Sequence, residues 1–164
     1  MIKNEVLKMK ILSHILASIM LLSCINTKTR MGKESDKDIA LKYVEAINNH
    51  NIDEIVNLMS EDHVFIDAYG DRYVGKKGMK EGWKGYYELF PDYKVEISDI
   101  IENDSLIGLF GYASGTYKNI KDESNSNFWR TPASWKAVVK NKKIKHWKVY
   151  CDYSKLFKII DKNK

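Results

Sequence analysis

The chain has 164 residues, which suffices for one domain of ordinary size beside a leader segment. It carries 27 Lys and Arg against 22 Asp and Glu, a formal net charge of +5. Residues 1–23 contain three Lys and one Glu, so the chain without them has a net charge of +3. So small a surplus does not favour nucleic acid as a partner, although lysines cluster from Lys136 onward. We interpret this late cluster as a solvated rim beside a membrane.

Residues 1–23 are predicted to be a lipoprotein signal peptide. The basic stretch "MIKNEVLKMK" precedes the apolar run "ILSHILASIMLL", which is too short to span a bilayer, and "SC" follows. The sequence "LLSC" resembles the lipobox of bacterial lipoproteins, which makes Cys24 the lipid-anchored first residue of the mature chain. Ordinary cleaved secretion with an incidental cysteine is the alternative. The expected location is therefore the bacterial cell envelope, lipid-anchored to a membrane.

Residues 24–34 show no periodicity and are predicted to be a tether, so the folded domain is expected over residues 35–164. Ser35 and Asp38 form a capping-box pattern that predicts a helix over 36–49. Asn51 is the predicted N-cap of a short second helix. The apolar spacing in "KKGMKEGWKGYYELF" predicts a third helix, which Pro91 ends.

The segment "HVFIDAYG", residues 63–70, is predicted to be a strand with His63, Phe65 and Asp67 on one face. Four longer strands are predicted over 93–102, 105–117, 128–140 and 144–153, with turns between neighbours. Gly108, Gly111 and Gly115 indicate bulges or sharp curvature. The predicted fold class is α+β, a half-barrel in which a strongly curved antiparallel sheet wraps round the N-terminal helices.

The segment "ALKYVEAINNHNIDEIVNLMSEDHVFIDAYGD" resembles the opening of the nuclear transport factor 2-like superfamily, which contains SnoaL-like polyketide cyclases and ketosteroid isomerases. The stretches "FPD", "GTY" and "KIKHWKVYCDYSKLF" resemble later parts of the same proteins. This resemblance implies a cone-shaped half-barrel with an interior cavity. It implies the activity much less closely, because the fold hosts unrelated functions.

Resemblance to the ketosteroid isomerases implies that Tyr43 and Asp67 are the catalytic residues. A carboxylate against apolar walls can remove a proton next to a carbonyl, and a phenol can donate a hydrogen bond to the resulting enolate. The third residue of that site, a protonated aspartic acid, corresponds to Trp135 here, which has no acid chemistry. The other interpretation of Asp67 is a structural carboxylate that hydrogen-bonds backbone groups.

Other superfamily members place an acid on the last strand, where this chain has Val149, so epoxide hydrolase chemistry is not expected. The expected cavity would bind a small apolar or aromatic molecule, and neither a cofactor nor a metal is predicted. The candidate ligand-binding residues are Phe65, Trp83, Tyr87, Trp135 and Val149.

Two functions stay open at this point. The first is a cell-envelope lipoprotein whose cavity binds a small molecule, with isomerase-like or cyclase-like proton transfer next to a carbonyl. The second is a non-catalytic ligand-binding or protein-interaction module, and in either case a homodimer through the sheet is expected. Asp152 is predicted to be the N-cap of a terminal helix, and Cys151 a small buried hydrophobic residue.

Overall fold

The computed structural model describes residues 34–118 and 127–163. The predicted signal peptide, nearly all of the tether and the anchoring residue Cys24 lie outside the described residues. Within the two described ranges, none of the helices has the length and apolar character needed to cross a membrane.

The predicted helices are present, and the first two begin where their capping residues indicate. In the first, the Ser35 hydroxyl accepts the Asp38 N–H at 3.1 Å and the Asp38 carboxylate accepts the Ser35 N–H at 2.8 Å. The Asn51 side chain caps the second by accepting the Glu54 N–H at 3.1 Å. The helices are α1 (Asp36–Asn48), α2 (Ile52–Leu58), α3 (Lys76–Leu89) and α4 (Ser154–Lys162).

In residues 34–118 and 127–163, six strands form one sheet that is open at both edges. They are β1 (Met59–Ile66), β2 (Arg72–Val74), β3 (Lys94–Asn103), β4 (Leu106–Thr116), β5 (Phe128–Lys140) and β6 (Lys143–Cys151). The order across the sheet is β2-β1-β6-β5-β4-β3, and β3 to β6 form the predicted antiparallel meander. The predicted α+β half-barrel is confirmed.

Three details of the predicted sheet are wrong. The sheet is mixed and not purely antiparallel, because β1 runs parallel to β6. The strand β2, which pairs with β1, was not predicted because its three residues are too short to show a periodic pattern. The first strand spans 59–66 and not 63–70, so Asp67 lies in the turn that follows it.

The prediction that Asp152 occupies the N-cap of the last helix is also wrong by one residue. Tyr153 holds the N-cap position of α4 and makes no side-chain cap hydrogen bond. Asp152 nevertheless accepts the Ser154 N–H at 2.9 Å, so its carboxylate satisfies one of the free amides of the first turn. Cys151, predicted to be buried, is half-buried.

The last residue of helix α1, Asn48, is hydrogen-bonded to the sheet. The Asn48 amide accepts the Val95 N–H at 2.8 Å and donates to the Val95 carbonyl at 2.9 Å. The side chain thus pairs with the edge strand β3 as a neighbouring strand would. Since Val95 itself is buried, these two bonds leave neither of its backbone groups unpaired at the edge of the core.

The predicted curvature is located at Gly111. The pairing of β3 with β4 shifts register between Ile97 and Asp99, opposite this glycine. A Cβ atom on Gly111 would collide with the backbone carbonyl of Glu96 and approach its carbonyl carbon to 2.9 Å. The bulged strand therefore approaches β4 more closely than a side chain would allow.

We expect Gly111→Ala to destabilise the domain by about 1–3 kcal/mol, the usual cost of overpacking against atoms that cannot move aside. Gly82→Ala is the matched control, because a Cβ atom there meets nothing within 4 Å and alanine is favoured in a helix by about 1 kcal/mol. Urea denaturation of both variants measures the two changes. Equal stability of Gly111→Ala and the wild type would contradict the close approach.

Candidate functional site

The five predicted ligand-binding residues all contribute to the core between the sheet and the helices. Trp83, Trp135 and Val149 are buried, whereas Phe65 and Tyr87 are half-buried. Trp135 and Val149 lie opposite each other on β5 and β6. Trp135 and Val149 thus lie together on the sheet, whereas Trp83 and Tyr87 lie on α3, and the ligand-binding role of all five stays a prediction.

Tyr43, on α1, lies at the centre of this interior and has no exposed surface. Its ring packs against Trp147 with centroids 4.8 Å apart and against His63 at 6.4 Å. Its hydroxyl has no hydrogen-bond partner, and neither does the buried indole N–H of Trp83. Burial raises the pKa of Tyr43 well above its usual value, and the indole N–H of Trp83, which approaches the hydroxyl without reaching hydrogen-bond geometry, partly offsets this effect.

Asp67 is held by the turn that follows β1. One carboxylate oxygen accepts the backbone N–H groups of Tyr69, at 2.9 Å, and Asp71, at 3.0 Å. The Asp67 N–H donates to the Asp71 carbonyl, and the Asp67 carbonyl accepts the Gly70 N–H. These are the partners that the structural interpretation of Asp67 requires. Its role in proton transfer stays a prediction.

Tyr43 and Asp67 are not brought into hydrogen-bond contact. The Tyr43 hydroxyl has no partner, and the side chains that the Asp67 charge affects are Tyr69 and Tyr153. Burial is the first cause of the raised pKa of each of these tyrosines, and Asp67 adds to it. Asp67 therefore faces the aromatic residues near the end of β6, whereas Tyr43 faces Trp147 in the middle of that strand.

His63 occupies a wide bulge that the sequence did not predict. Between the pairs Met59–Ile144 and Val64–His146, β1 advances five residues while β6 advances two. The His63 ring fills the gap, and its Nδ1 lies 2.8 Å from the Ile144 carbonyl oxygen. Since a carbonyl only accepts, Nδ1 carries the proton and takes the place of a missing backbone donor.

The second ring nitrogen of His63 has no partner. The side chain is fully buried, and burial lowers the pKa of His63 below its usual value of 6.5. The ring is then neutral at pH 7, with its proton on Nδ1 and a free lone pair on Nε2. The interior near Tyr43 thus contains an unpaired acceptor, Nε2, beside two unpaired donors, the Tyr43 hydroxyl and the Trp83 indole.

A second group of side chains, of which Tyr93 is buried and the others are partly buried, surrounds Cys151 at the end of β6. Tyr86 and Tyr93 meet edge to face with centroids 4.9 Å apart, and Tyr153 lies beside the thiol. Burial raises the pKa of Cys151 to about 11, so the thiol is protonated at neutral pH. In residues 34–118 and 127–163, no three His, Cys, Asp or Glu side chains gather as metal ligands would.

A groove of about 430 Å³ lies on the surface between the bulge of β1 and the β5–β6 hairpin. Two ion pairs cross it, between Lys76 and Glu61 at 2.7 Å and between Lys145 and Asp62 at 2.6 Å. Two of the four lysines that line it, Lys76 and Lys145, thus have a carboxylate partner. None of the predicted site residues lines this groove. The lining residues are Met59, Ser60, Glu61, Asp62, Lys76, Lys140, Asn141, Lys143 and Lys145.

The profile of the SnoaL-like domain family matches residues 40–147, and the chain belongs to this family. Comparison with curated proteins gives no significant match. Solved structures with the same fold include a candidate SnoaL-like polyketide cyclase from Shewanella denitrificans, which is 14% identical with a TM-score of 0.66, over 77% of this chain and 97% of that one.

Two further structures show the same fold. A candidate polyketide cyclase from Xanthomonas campestris is 18% identical with a TM-score of 0.65, over 76% of this chain and 96% of that one. AclR of Streptomyces galilaeus, named as a candidate hydroxylase, is 16% identical with a TM-score of 0.63, over 77% and 96%. These likenesses establish the cone-shaped fold of the nuclear transport factor 2-like proteins.

The buried imidazole predicts a pH dependence of stability. Because the pKa of His63 is lower in the folded state, the unfolded chain binds a proton that the folded chain does not. Stability should therefore decrease as the pH falls through 6.5, until the folded-state pKa is reached. His63→Asn should flatten this decrease and leave a smaller slope from His146, whose pKa burial also lowers.

Asp62 provides an internal reference for the same measurement. A hydrogen bond from Lys145 is the main reason why the pKa of Asp62 is lowered to about 2, so its contribution is present above its usual value of 3.8 and lost below it. The pH dependence of the urea midpoint should differ between the wild type and His63→Asn only in the upper range, whatever constant offset the substitution adds. An unchanged slope near pH 6 would contradict this account of His63.

Proposed function

We propose that this chain is a cell-envelope lipoprotein whose SnoaL-like domain binds a small, mostly apolar or aromatic molecule in the interior of the cone. The observation that carries the proposal is the pair of buried donors without partners, the Tyr43 hydroxyl and the Trp83 indole N–H. Buried polar groups in folded proteins are nearly always hydrogen-bonded. A ligand oxygen that accepts from both would satisfy them.

The surroundings of the two donors define the rest of the ligand. Tyr87 stacks on Trp83 with centroids 5.3 Å apart, and Trp147 packs on Tyr43. Such walls suit a flat or compact apolar body, with one oxygen as its polar end. A carbonyl compound fits this description, in keeping with the cyclases among the proteins of similar fold.

The chemistry that we propose is proton transfer next to that carbonyl. As the proton leaves, negative charge develops on the ligand oxygen, and donors placed in a dry site stabilise that charge more than water would. Tyr43 and Trp83 would supply those donors. Asp67 is the base that the family resemblance implies.

The non-catalytic module is the second candidate, and the backbone bonds of Asp67 favour it. Two amide N–H groups already occupy one oxygen of this carboxylate. In this alternative, Asp67 stabilises the turn, and the domain binds its ligand without converting it.

Titration with β-naphthol, a phenol that resembles an enolate, tests the proposed pocket. We expect Tyr43→Phe to weaken binding about tenfold, the effect of one hydrogen bond of about 1–1.5 kcal/mol. Calorimetry measures the affinity. Equal affinity of the wild type and Tyr43→Phe would contradict the assignment of Tyr43.

Two substitutions separate the roles of Asp67 in the same titration. Asp67→Asn keeps an oxygen that can accept both backbone N–H groups but removes the negative charge. If the Asp67 carboxylate faces the ligand, we expect this variant to bind β-naphthol as tightly as the wild type or more tightly. Asp67→Ala removes both hydrogen bonds, and a turn-stabilising carboxylate predicts a loss of roughly 0.5–2 kcal/mol in stability. Thermal melts of both variants complete the comparison.

The anchor is tested independently of the cavity. If Cys24 is lipidated, the protein should partition into the detergent phase, and Cys24→Ser should move it to the aqueous phase in a folded state. Phase separation followed by immunodetection measures the distribution. A serine variant that partitions as the wild type does would overturn the lipoprotein assignment.

The homodimer through the sheet stays a proposal. It is supported by exposed apolar side chains on strands of the sheet, among them Leu106, Phe110 and Tyr150. Phe110 and Tyr150 both pair with Ser134, so they flank it on one face. Sedimentation velocity of the soluble domain over a range of concentrations would show whether a second copy binds this face.

A further inference from the structure

We propose that Nε2 of His63 accepts a proton from the molecule bound in the cone, and that this molecule therefore belongs to the enolisable carbonyl compounds. The inference rests on the proposed ligand-binding function and assigns the base within it. It also concerns a residue that the family resemblance does not single out.

The first support is the fixed tautomer of His63. Its Nδ1–H donates to the Ile144 carbonyl at 2.8 Å, which holds the ring in one orientation and leaves the lone pair on Nε2. When one ring N–H of a histidine donates to a backbone carbonyl, the other ring nitrogen keeps its lone pair and can accept a proton. The bulge of β1 produces this arrangement, because it removes the backbone donor that Ile144 would otherwise meet.

The second support is the position of the free nitrogen. Nε2 is buried and has no hydrogen-bond partner, and the ring lies 6.4 Å from that of Tyr43. The His63 side chain is fully buried and its ring contacts that of Tyr43, so it lies on the inner face of the sheet. The unpaired acceptor and the unpaired donor of Tyr43 therefore share one interior.

The third support is that acceptor and donors together match one kind of ligand. A carbonyl oxygen can accept from Tyr43 and Trp83, and the carbon next to it carries a proton that Nε2 can accept. In that step the C–H bond breaks, the proton forms an N–H bond at Nε2, and the electron pair moves to the carbonyl oxygen. The imidazolium then returns the proton to a carbon of the enolate, so neither an oxidant nor a co-reactant is consumed.

His63 is better placed for this step than Asp67. Its lone pair is free, whereas one oxygen of Asp67 is held by two backbone N–H groups. The positive charge that forms on His63 would also be balanced by the enolate beside it. A buried imidazole without such a partner resists protonation, which confines the reaction to the bound ligand.

The substitution that isolates Nε2 is His63→Asn. The asparagine amide can replace the Nδ1–H in its bond to Ile144 but has no atom at the position of Nε2. His63→Gln is its counterpart, because glutamine places an amide group near Nε2 and gives up the bond to Ile144. His146→Asn is the control, because this histidine precedes the buried Trp147 by one residue and its side chain leaves the opposite face of β6.

The experiment follows the exchange of the α-protons of β-tetralone, an aromatic ketone, for deuterium in D₂O by NMR. We expect the wild type to accelerate the exchange relative to buffer alone. The acceleration by His63→Asn should be smaller than that by the wild type by a factor of at least about one hundred. His146→Asn should exchange like the wild type. Binding of β-naphthol to His63→Asn, together with its melting temperature, shows that the interior is still formed.

A measurement on the wild type does not depend on the folding of any variant. The ¹⁵N shifts of His63 should identify Nδ1 as the protonated nitrogen and Nε2 as the one with the lone pair, and β-naphthol should move the Nε2 signal. The reverse tautomer would overturn the proposal, as would exchange that survives in His63→Asn and is lost in Asp67→Asn. Binding of β-naphthol without exchange would overturn the proposal but leave the binding function standing, whereas no binding would overturn both.

Discussion

The parallel pairing of β1 with β6 is the interaction on which the rest of the structure depends. It brings Phe65 beside Trp147 and sets the first strand next to the last. Without this pairing, the meander from β3 to β6 would end in an uncovered strand, and Tyr43 of α1 would lose its contact with His63. The position of Tyr43 between Trp147 and His63 follows from it directly.

The pairing is irregular at one point, and that irregularity gives the interior its polar character. A regular ladder would satisfy Ile144 with a backbone donor and leave no reason for a histidine to enter the core. The bulge makes an imidazole the substitute donor, and an imidazole necessarily brings a second nitrogen with it. The irregular backbone of β1 and the free ring nitrogen in the interior thus have the same origin.

The parts of the fold that the sequence predicted are those with local signals. The capping pair of Ser35 and Asp38, the helical spacing in α3 and the turns of the meander each act over a few residues, and each was found where expected. Parallel pairing leaves no turn between the partners, so nothing near Met59 indicates that β6 lies beside it. The extent of β1 was misjudged because its bulged start breaks the alternation that marks a strand.

The site was predicted less completely for a related reason. Aromatic residues such as Trp83 and Trp135 belong to the interior in any version of this fold, so their burial was predictable. Asp67 sits in "DAYGD", whose glycine and second aspartate are turn residues, and that pattern indicates the capping role that the structure gives it. No comparable pattern marks His63, because its partner Ile144 is 81 residues away.

That distance also determines when the domain can be completed during synthesis. The strand that β1 pairs with, β6, follows β2 to β5 in the chain, so β1 has no parallel partner until all of these strands have been synthesised. Until then the aromatic interior faces water and can attract other unfolded chains. A premature stop anywhere before β6 should therefore yield an aggregating fragment and not a smaller folded domain, whichever residues carry the function.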